Sequence, residues 1–445
     1  MALFLLANLA IGLWAGRNVK TFKDDALANR SLGVGVLTIT LSATFIEAAG
    51  VQLFGPYVIG VMSLMPTVCF ALVSLLLGWF VFPKLVHFKE CYTLGDVMHQ
   101  LYGPWARTFT AIIATLFSLL LISGQLVAAG AFSTFIGIER STMILLVGSA
   151  VILYTFSGGV RAVSATDLLQ FGLLVVGTVL LLNMALQKVG GIQLLVGEMF
   201  AKHPEKCAVW SYPDLTNRFF NAFFWAIWPT LLLTPPIIQR ALMTRQKKDI
   251  TQMFVGYSIF YPIFRISLAL VGMCCLLVTS TQLQQPSNTD LIAYAMQYIL
   301  VTPWLQALFL LTIIAVIMST ADSFLNAMAV MLIRDVYQPL FAQHNNKTQN
   351  EVFMMRALGL FIGTFAIILA LFFHTTATMM SGYAVMVYSM ICLPFVAGVV
   401  GLKVSPKYFT YNVLSFLVGF CLGAMLYTYL GSTSLDSTFV GGVYT

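Results

Sequence analysis

Five polar residues interrupt a long apolar stretch that runs from about Trp304 to Arg334. They are Ser319, Thr320, Asp322, Ser323 and Asn326. Asp322 and Ser323 follow Ser319 by three and four positions, so a helix places these three residues on one face. Thr320 lies beside them. Hydroxyl and carboxylate oxygens are hard ligands that suit a small hard cation. The alternative is structural: the hydroxyls bond to carbonyls four residues earlier, and the aspartate ends its helix.

The composition is typical of a protein that crosses a lipid bilayer many times. Of the 445 residues, 59% are hydrophobic and 9% are charged, which excludes an ordinary soluble domain. Polar groups inside an apolar span are costly and usually functional. The net charge of +7 does not indicate a nucleic-acid partner, because the basic residues lie in short loops between spans. The five histidines lack ligand spacing and there is no phosphate-binding loop, so we do not expect an enzyme.

Hydropathy predicts an all-α polytopic membrane protein with about twelve transmembrane helices. The predicted spans are 2–16, 33–56, 61–83, 105–136, 140–157, 164–187, 217–242, 251–279, 304–337, 353–374, 378–401 and 409–430. Most of the 23 lysines and arginines fall in alternate loops, and Arg240 is assigned to one of these loops. These loops are expected to be cytoplasmic, which predicts a multi-pass protein of the plasma (inner) membrane with both termini external.

Two of these spans contain helix-breaking residues and lie five spans apart. The second carries Gly50 and the pair Gly55-Pro56, and the seventh contains Pro229 and Pro235. This spacing predicts a core of two inverted repeats of five helices, with broken first and sixth core helices at the binding site. Ordinary proline kinks are the alternative. The predicted organisation is a peripheral N-terminal helix and cytoplasmic loop (1–32), a first repeat (33–187), an external loop (188–216), a second repeat (217–401) and a peripheral C-terminal helix and tail (402–445).

Four motifs, in chain order, resemble those of the sodium/solute symporter family. They are the approach to the first core helix at 29–33, the signature at 154–170, the Gln-Arg motif at 238–240, and the polar run at 319–323 with its continuation at 335–337. The resemblance covers nearly the whole chain and extends to the proline, galactose, sialic acid and choline symporters. It implies a core of ten helices and the sodium ion as the coupling ion.

The resemblance also implies a sodium ion held between the first and the eighth core helices. Its ligands are expected to be the backbone carbonyls of Ser42, Phe45 and Val316 with the hydroxyls of Ser319 and Thr320. Some members bind a second sodium, whose ligands here are expected to be Asp167, Ser319, Asp322 and Ser323. The alternative for Asp167 is structural, as the cap of its helix or as the partner of Arg161.

Candidate solute-binding residues lie on both broken helices and on the fourth span. They are Glu47 and Gln52 on the first broken helix, Gln125 on the fourth span, and Trp225 and Trp228 on the second broken helix. A carboxylate near aromatic rings suits an amine-bearing or cationic solute, and an amino acid or a carboxylate fits the resemblance too. The alternative for the tryptophans is packing or interface anchoring. The segment 92–97 resembles the choline-transporting branch, but Thr234 stands where that branch has a tryptophan, so the solute stays open.

We therefore expect a sodium-coupled secondary active transporter that imports a small polar organic solute by alternating access. Two alternatives stay open. In the first, Glu47 or Asp322 carries a proton in a proton-coupled carrier on the same scaffold, since an unpaired buried carboxylate tends to take up a proton. In the second, the protein senses a solute without transporting it.

Overall fold

A computed structural model describes residues 1–17, 19–45, 60–207, 234–279, 298–341, 349–372, 389–402 and 405–429. Within these ranges every regular element is a helix and no strand is present. Six of the described helices are long and apolar enough to cross a membrane, and a bent pair at 22–45 adds a seventh span if it is counted as one. The predicted residues Glu47, Gln52, Trp225 and Trp228 lie outside the described ranges, as do the predicted helix breaks at Gly50, Gly55 and Pro229.

The main helices are numbered in chain order. They are α1 (Ala2–Gly16), α2 (Phe22–Leu27), α3 (Val34–Phe45), α4 (Met65–Phe80), α5 (Leu94–Tyr102), α6 (Pro104–Ala131), α7 (Arg140–Val189), α8 (Ile192–Lys202), α9 (Pro235–Leu242), α10 (Lys247–Thr279), α11 (Pro303–Met331), α12 (Gln349–Phe372), α13 (Cys392–Val400) and α14 (Lys407–Tyr429). A π-helical turn, Leu332–Tyr337, directly continues α11. The predicted spans correspond to these helices wherever the chain is described, with ends that differ by a few residues.

The longest helix, α7, is broken at Gly159. Its 50 residues would extend about 75 Å at 1.5 Å per residue, more than twice the thickness of a bilayer core. Gly159 has φ 53° and ψ −143°, a backbone conformation that side chains disfavour. A Cβ atom at this position would also collide with the carboxylate of Asp25. The predicted spans 140–157 and 164–187 therefore lie on the two sides of this break.

A sharp turn joins α2 to α3 and sets the direction in which α3 enters the bundle. The two helical segments meet at 112°, and Ala28, Asn29 and Arg30 all have positive φ between them. Such angles are strained for residues other than glycine and need external support. The Arg30 side chain supplies it by donating to the carbonyls of Leu242 (2.9 Å) and Lys89 (2.6 Å).

The central helix of the described bundle is α11. In its most apolar stretch 89% of the residues are buried, against 28% for α12. It packs against α3, α6, α7, α9 and α12. A helix enclosed on all sides by protein can carry polar side chains that a lipid-facing helix cannot. The polar run at 319–323 is therefore surrounded by other helices.

Ion pairs tie α5, α6 and the end of α11 together beyond this polar run. Arg107 pairs with Asp96 and Asp335, both at 2.8 Å, and Arg334 pairs with Asp96 at 3.0 Å. Asp335 is fully buried, so its charge depends on these partners. The loops that meet here are among those predicted to share one side of the membrane.

Candidate functional site

The four residues Ser319, Thr320, Asp322 and Ser323 are buried in α11, each no more than 6% exposed. Their helix, Pro303–Met331, runs without a break. Asp322 therefore does not end its helix, and this part of the structural alternative is wrong. Each of the four side chains contacts a polar group on a neighbouring helix. The Thr320 hydroxyl also bonds to the carbonyl four residues earlier, as the structural alternative predicts.

Thr320 connects α11 to α3 where the first sodium site is predicted. Its hydroxyl donates to the carbonyl oxygens of Thr44 (2.9 Å) and Val316 (3.1 Å). Thr44 lies between the predicted ligands Ser42 and Phe45 in the sequence. The structure thus brings together the two helices that carry the five predicted ligands.

Ser319 and Thr320 use their hydroxyl protons on protein acceptors. Ser319 donates to Oδ1 of Asp167 at 2.5 Å, and Thr320 donates to the two carbonyls above. Among the described residues no hydrogen-bond donor contacts either hydroxyl oxygen. Because a hydroxyl oxygen has two lone pairs, both oxygens keep the capacity to bind a hard cation.

Asp167 lies inside the second half of α7 and is fully buried. While Oδ1 accepts from Ser319, Oδ2 accepts from Nη2 of Arg240 at 3.3 Å. Arg161 pairs instead with Asp24, at 2.6 Å. Both structural alternatives for Asp167 are therefore wrong, because it neither caps a helix nor pairs with Arg161. Its partners belong to α9 and α11.

Arg240 is buried at the centre of the bundle, and its predicted assignment to a cytoplasmic loop is wrong. The residue is 3% exposed. Its Nε donates to Thr40 (3.0 Å). The two protons of Nη2 are shared among three acceptors, Ser323 (2.7 Å), Thr44 (2.9 Å) and Asp167 (3.3 Å). A buried charge is tolerated only when it is paired and hydrogen-bonded. These contacts with α3, α7 and α11 fulfil that condition.

The residue before Arg240 fixes α9 against its neighbours. Nε2 of Gln239 donates to the carbonyl of Ala26 in α2 at 2.8 Å, and Oε1 accepts from Nδ2 of Asn326 at 3.4 Å. Every residue of the helix Pro235–Leu242 is buried. Gln239 therefore sets the direction in which the arginine enters the cluster. In the sequence, the apolar residues before the Gln-Arg pair are the feature that indicates a buried helix, although the count of basic residues assigned Arg240 to a loop.

The carboxylate of Asp322 points toward the first half of α7. The phenol of Tyr154 donates to Oδ2 at 2.6 Å, and both residues are fully buried. In the described part of the chain Oδ1 has no hydrogen-bond partner. A carboxylate oxygen without a donor in a dry interior either takes up a proton or binds a nearby cation. Tyr154 belongs to the 154–170 motif, but no pattern in the sequence indicated its partner.

Gln125 lies on α6, partly buried. Its Oε1 has no hydrogen-bond partner among the described residues. The structure records no contact between Gln125 and the cluster around Asp167 in the described ranges. Its role in binding solute stays a prediction.

Comparison with known proteins identifies relatives over most of the chain. The model of the sodium:solute symporter family matches residues 26–400. The high-affinity choline transporter 1 of Drosophila melanogaster is 25% identical over 390 residues, 83% of this chain but only 61% of that protein, less than two thirds of its length. The high-affinity proline transporter PutP of Bacillus subtilis (strain 168) is 24% identical over 382 residues, 81% of this chain and 78% of that protein.

A solved structure shares the fold. A Na⁺-coupled sialic acid symporter in a substrate-bound, outward-open state matches with a TM-score of 0.79 at 16% identity, covering 95% of this chain and 96% of that chain. The likeness shows that the two chains share a fold. Together with the family match over residues 26–400, it leads to one conclusion: the chain belongs to the sodium:solute symporter family.

Proposed function

We propose that the protein imports a small polar organic solute by alternating access, driven by sodium bound between α3 and α11. Membership of the family supports a sodium-coupled solute transporter rather than an enzyme. The direction of transport, the solute and the residues that bind the ion belong to the proposal. One observation carries it: the Thr320 hydroxyl bridges the two helices at 2.9 Å from the Thr44 carbonyl.

The proposed sodium site combines neutral oxygens from these two helices. Its ligands are the carbonyls of Ser42, Phe45 and Val316 and the hydroxyls of Ser319 and Thr320. The two hydroxyl protons are already donated to protein acceptors, so the lone pairs of both oxygens are free to face an ion. Carbonyl and hydroxyl oxygens replace the water that a hard cation loses on entering the bundle.

Sodium at this position couples ion binding to the conformation of the transporter. An ion that bridges α3 and α11 binds only while the two helices are in contact, so it stabilises that conformation over others. A solute that prefers the same conformation then binds more tightly when sodium is present, and the reverse holds equally. Such coupling is typically about 1–3 kcal/mol.

The solute is proposed to be an amine-bearing or cationic compound, an amino acid or a carboxylate. The relatives are named for choline and proline, and a Haemophilus influenzae relative is named as a sodium/pantothenate symporter. The proposed contacts are Glu47, Gln52, Gln125, Trp225 and Trp228. Gln125 alone among them lies in the described ranges, where its Oε1 is buried without a hydrogen-bond partner.

The membrane arrangement is part of the same proposal: about twelve spans, two inverted repeats at 33–187 and 217–401, and both termini external. Contacts between loops predicted to be cytoplasmic support one part of it, namely that these loops share one side of the membrane. Arg30 donates to the carbonyl of Lys89, Arg107 pairs with Asp335, and Arg245 donates to the carbonyl of Arg30. Residues on opposite sides of a membrane could not form such contacts.

Uptake into proteoliposomes tests the proposal. The panel of probes is choline, proline and pantothenate, each measured with an inward gradient of sodium or of potassium. Ser319→Ala and Thr320→Ala each remove one oxygen ligand from the ion. A hydrogen bond or ligand to a charged group is worth about 1.5–3 kcal/mol, so the half-saturating sodium concentration should rise roughly 10-fold or more.

The matched control is Ser74→Ala. Ser74 is also buried, but its hydroxyl donates to the Phe70 carbonyl of its own helix, α4, at 2.8 Å. Its removal should leave the sodium dependence unchanged. Wild-type sodium dependence in both Ser319→Ala and Thr320→Ala would contradict the assigned site. Uptake that follows a pH gradient without sodium would favour the proton-coupled carrier, and saturable binding without uptake would favour the sensor.

A further inference from the structure

A small cavity lies beside the break in α7, where α2, α11 and α12 meet that helix. Its volume is about 20 Å³, and one buried water molecule needs roughly 10–15 Å³. The cavity therefore has room for one water molecule but is too small for an organic solute. Most of its lining is apolar, and its polar side chains are Asp25, Thr155, Asn326 and Arg356.

Three polar atoms of this lining are buried without a hydrogen-bond partner among the described residues. They are Oδ2 of Asp25, Oγ1 of Thr155 and Nε of Arg356. Asp25 is 1% exposed and Thr155 is 7% exposed. Buried polar atoms nearly always have a partner, because an unpaired one loses the hydrogen bonds that water gave it in the unfolded chain. Three such atoms, from α2, α7 and α12, around one cavity indicate a shared polar ligand.

The ion pair at this cavity is too long for a direct hydrogen bond. Nε of Arg356 lies 3.6 Å from Oδ2 of Asp25, beyond the range of an N–H···O bond. Two other polar contacts of α2 are direct: Arg161 donates to Asp24 at 2.6 Å, and Gln239 donates to a backbone carbonyl of α2 at 2.8 Å. The contact between α2 and α12 thus has the separation at which a bridging water molecule is expected.

We propose that one water molecule is bound in this cavity and joins α2 to α7 and α12. It donates a proton to Oδ2 of Asp25 and accepts one from Nε of Arg356. The Thr155 hydroxyl forms the third bond, since a hydroxyl can donate or accept. Three hydrogen bonds are typical of a buried water molecule. A metal ion does not suit the cavity, because the guanidinium 3.6 Å from the carboxylate would repel it.

The bound water completes the attachment of α2, which leads through the 112° turn into α3. Thr155 stands about one helical turn before Gly159 in α7. Gly159, which has no Cβ atom, leaves space for the carboxylate of Asp25, so the break in α7 and the water site depend on the same side chain. None of the residues proposed to bind sodium lines the cavity. The water can therefore be tested whatever the outcome for sodium.

Hydroxyl-radical footprinting of the full-length protein tests the proposal. A short X-ray pulse splits water into hydroxyl radicals, which oxidise the nearest side chains, and a methionine becomes its sulfoxide. Met355 lines the cavity and is 3% exposed; Met199, on α8, is also 3% exposed but does not line it. Mass spectrometry should find Met355 oxidised at a dose that leaves Met199 intact. A rate of oxidation at Met355 no higher than that at Met199 would overturn the proposal.

Two threonine variants show whether the water is held or whether bulk solvent reaches Met355. Thr155→Val removes a hydroxyl from the lining with little change in volume, and it should lower the rate of Met355 oxidation several-fold. The matched control is Thr110→Val. Thr110 is fully buried and its hydroxyl also lacks a partner among the described residues, but it does not line the cavity. The control should leave Met355 oxidation unchanged, and an equal loss in both variants would overturn the assignment of Thr155.

A third variant fills the cavity. A Cβ atom at Gly359, which lines the cavity, would have the Cβ atom of Ala329 as its nearest neighbour, at 3.6 Å, an ordinary contact. Gly359→Ala thus adds a methyl group without a clash and should displace the water, with a several-fold loss of Met355 oxidation. If either Thr155→Val or Gly359→Ala does not fold, the other decides. Undiminished oxidation of Met355 in a folded variant would show that bulk solvent is the source of the radicals, and it would overturn the bound water.

Discussion

The hydrogen bond between Tyr154 and Asp322 joins α7 to α11, and it should stabilise the fold more strongly when its acceptor is charged than when it is neutral. The phenol donates to Oδ2 at 2.6 Å, and both side chains are fully buried. The other oxygen, Oδ1, has no partner among the described residues. Tyr154→Phe therefore removes the recorded donor to this carboxylate while leaving the ring and its packing in place.

The size of the effect follows from these contacts. A buried hydrogen bond to a charged acceptor contributes about 1.5–3 kcal/mol, and one to a neutral acceptor about 0.5–1.5 kcal/mol. Hydrogen bonds between membrane helices average about 0.6 kcal/mol. Because this bond joins two membrane helices, we expect Tyr154→Phe to lower the free energy of unfolding by roughly 1.5 kcal/mol in the wild-type protein, and by about 1 kcal/mol less when Asp322 is already asparagine.

The assay is a double-mutant cycle on the free energy of unfolding in mixed micelles. It uses the wild type, Tyr154→Phe, Asp322→Asn and the double variant, all in the same concentration of sodium, because a ligand bound to the native state shifts its stability. If Tyr154→Phe costs the same with Asp322 as with asparagine, the phenol does not stabilise a charged carboxylate. That result would refute the reasoning that Asp322 is ionised and held by Tyr154.

Three further predictions concern residues outside the ion site. Gly159→Ala should lower the free energy of unfolding by more than about 2 kcal/mol, since φ is 53° and a Cβ atom would meet Asp25. Arg107→Gln should lower it by roughly 3–5 kcal/mol, because it removes a partner from the fully buried Asp335. Burial raises the pKa of the Cys91 thiol to about 12, so at pH 8 Cys91 should stay protonated and react slowly with N-ethylmaleimide, as mass spectrometry of the folded protein would show.

Matched controls accompany these three. Gly172 lies on α7 with open space around its Cα, so Gly172→Ala should be neutral or stabilising, and equal costs at Gly172 and Gly159 would contradict the argument. Lys202→Gln, in the exposed pair with Glu198, should change stability by less than about 1 kcal/mol. Cys207 is only partly buried and should be labelled before Cys91. Equal labelling rates would show that Cys91 is accessible.

The sequence predicted most of what depends on local periodicity. Apolar length predicted α1 at 2–16, and the three- and four-residue spacing in 319–323 predicted a shared polar face that proves to be buried. The signature at 154–170 contained the break at Gly159, whose positive φ shows why glycine is needed there. These features depend on residues close together in the chain, so the spacing of those residues is enough to predict them.

The partners of the buried charges could not be predicted in this way. Tyr154 and Asp322 are 168 positions apart, and Asp167 and Arg240 are 73 apart. Periodicity indicates the face of a helix on which a side chain lies, but not which helix packs against that face. Arg240 was misplaced for a related reason: counting basic residues assigns an arginine at a helix end to the nearest loop. Its burial depends on acceptors from three other helices that only the folded chain brings together.

The central claim is that sodium binds between α3 and α11, and thermal unfolding tests it most directly. The purified protein is heated in sodium chloride and in potassium chloride at equal ionic strength, beside Thr320→Ala and the control Ser74→Ala. At about 100 times the dissociation constant, sodium should stabilise the wild type and the control by roughly 2.7 kcal/mol over potassium. A roughly 10-fold weaker site in Thr320→Ala should reduce this difference to about 1.4 kcal/mol, and a still weaker site should reduce it further. Identical unfolding curves in sodium and potassium for the wild type, or an undiminished sodium effect in Thr320→Ala, would contradict the account.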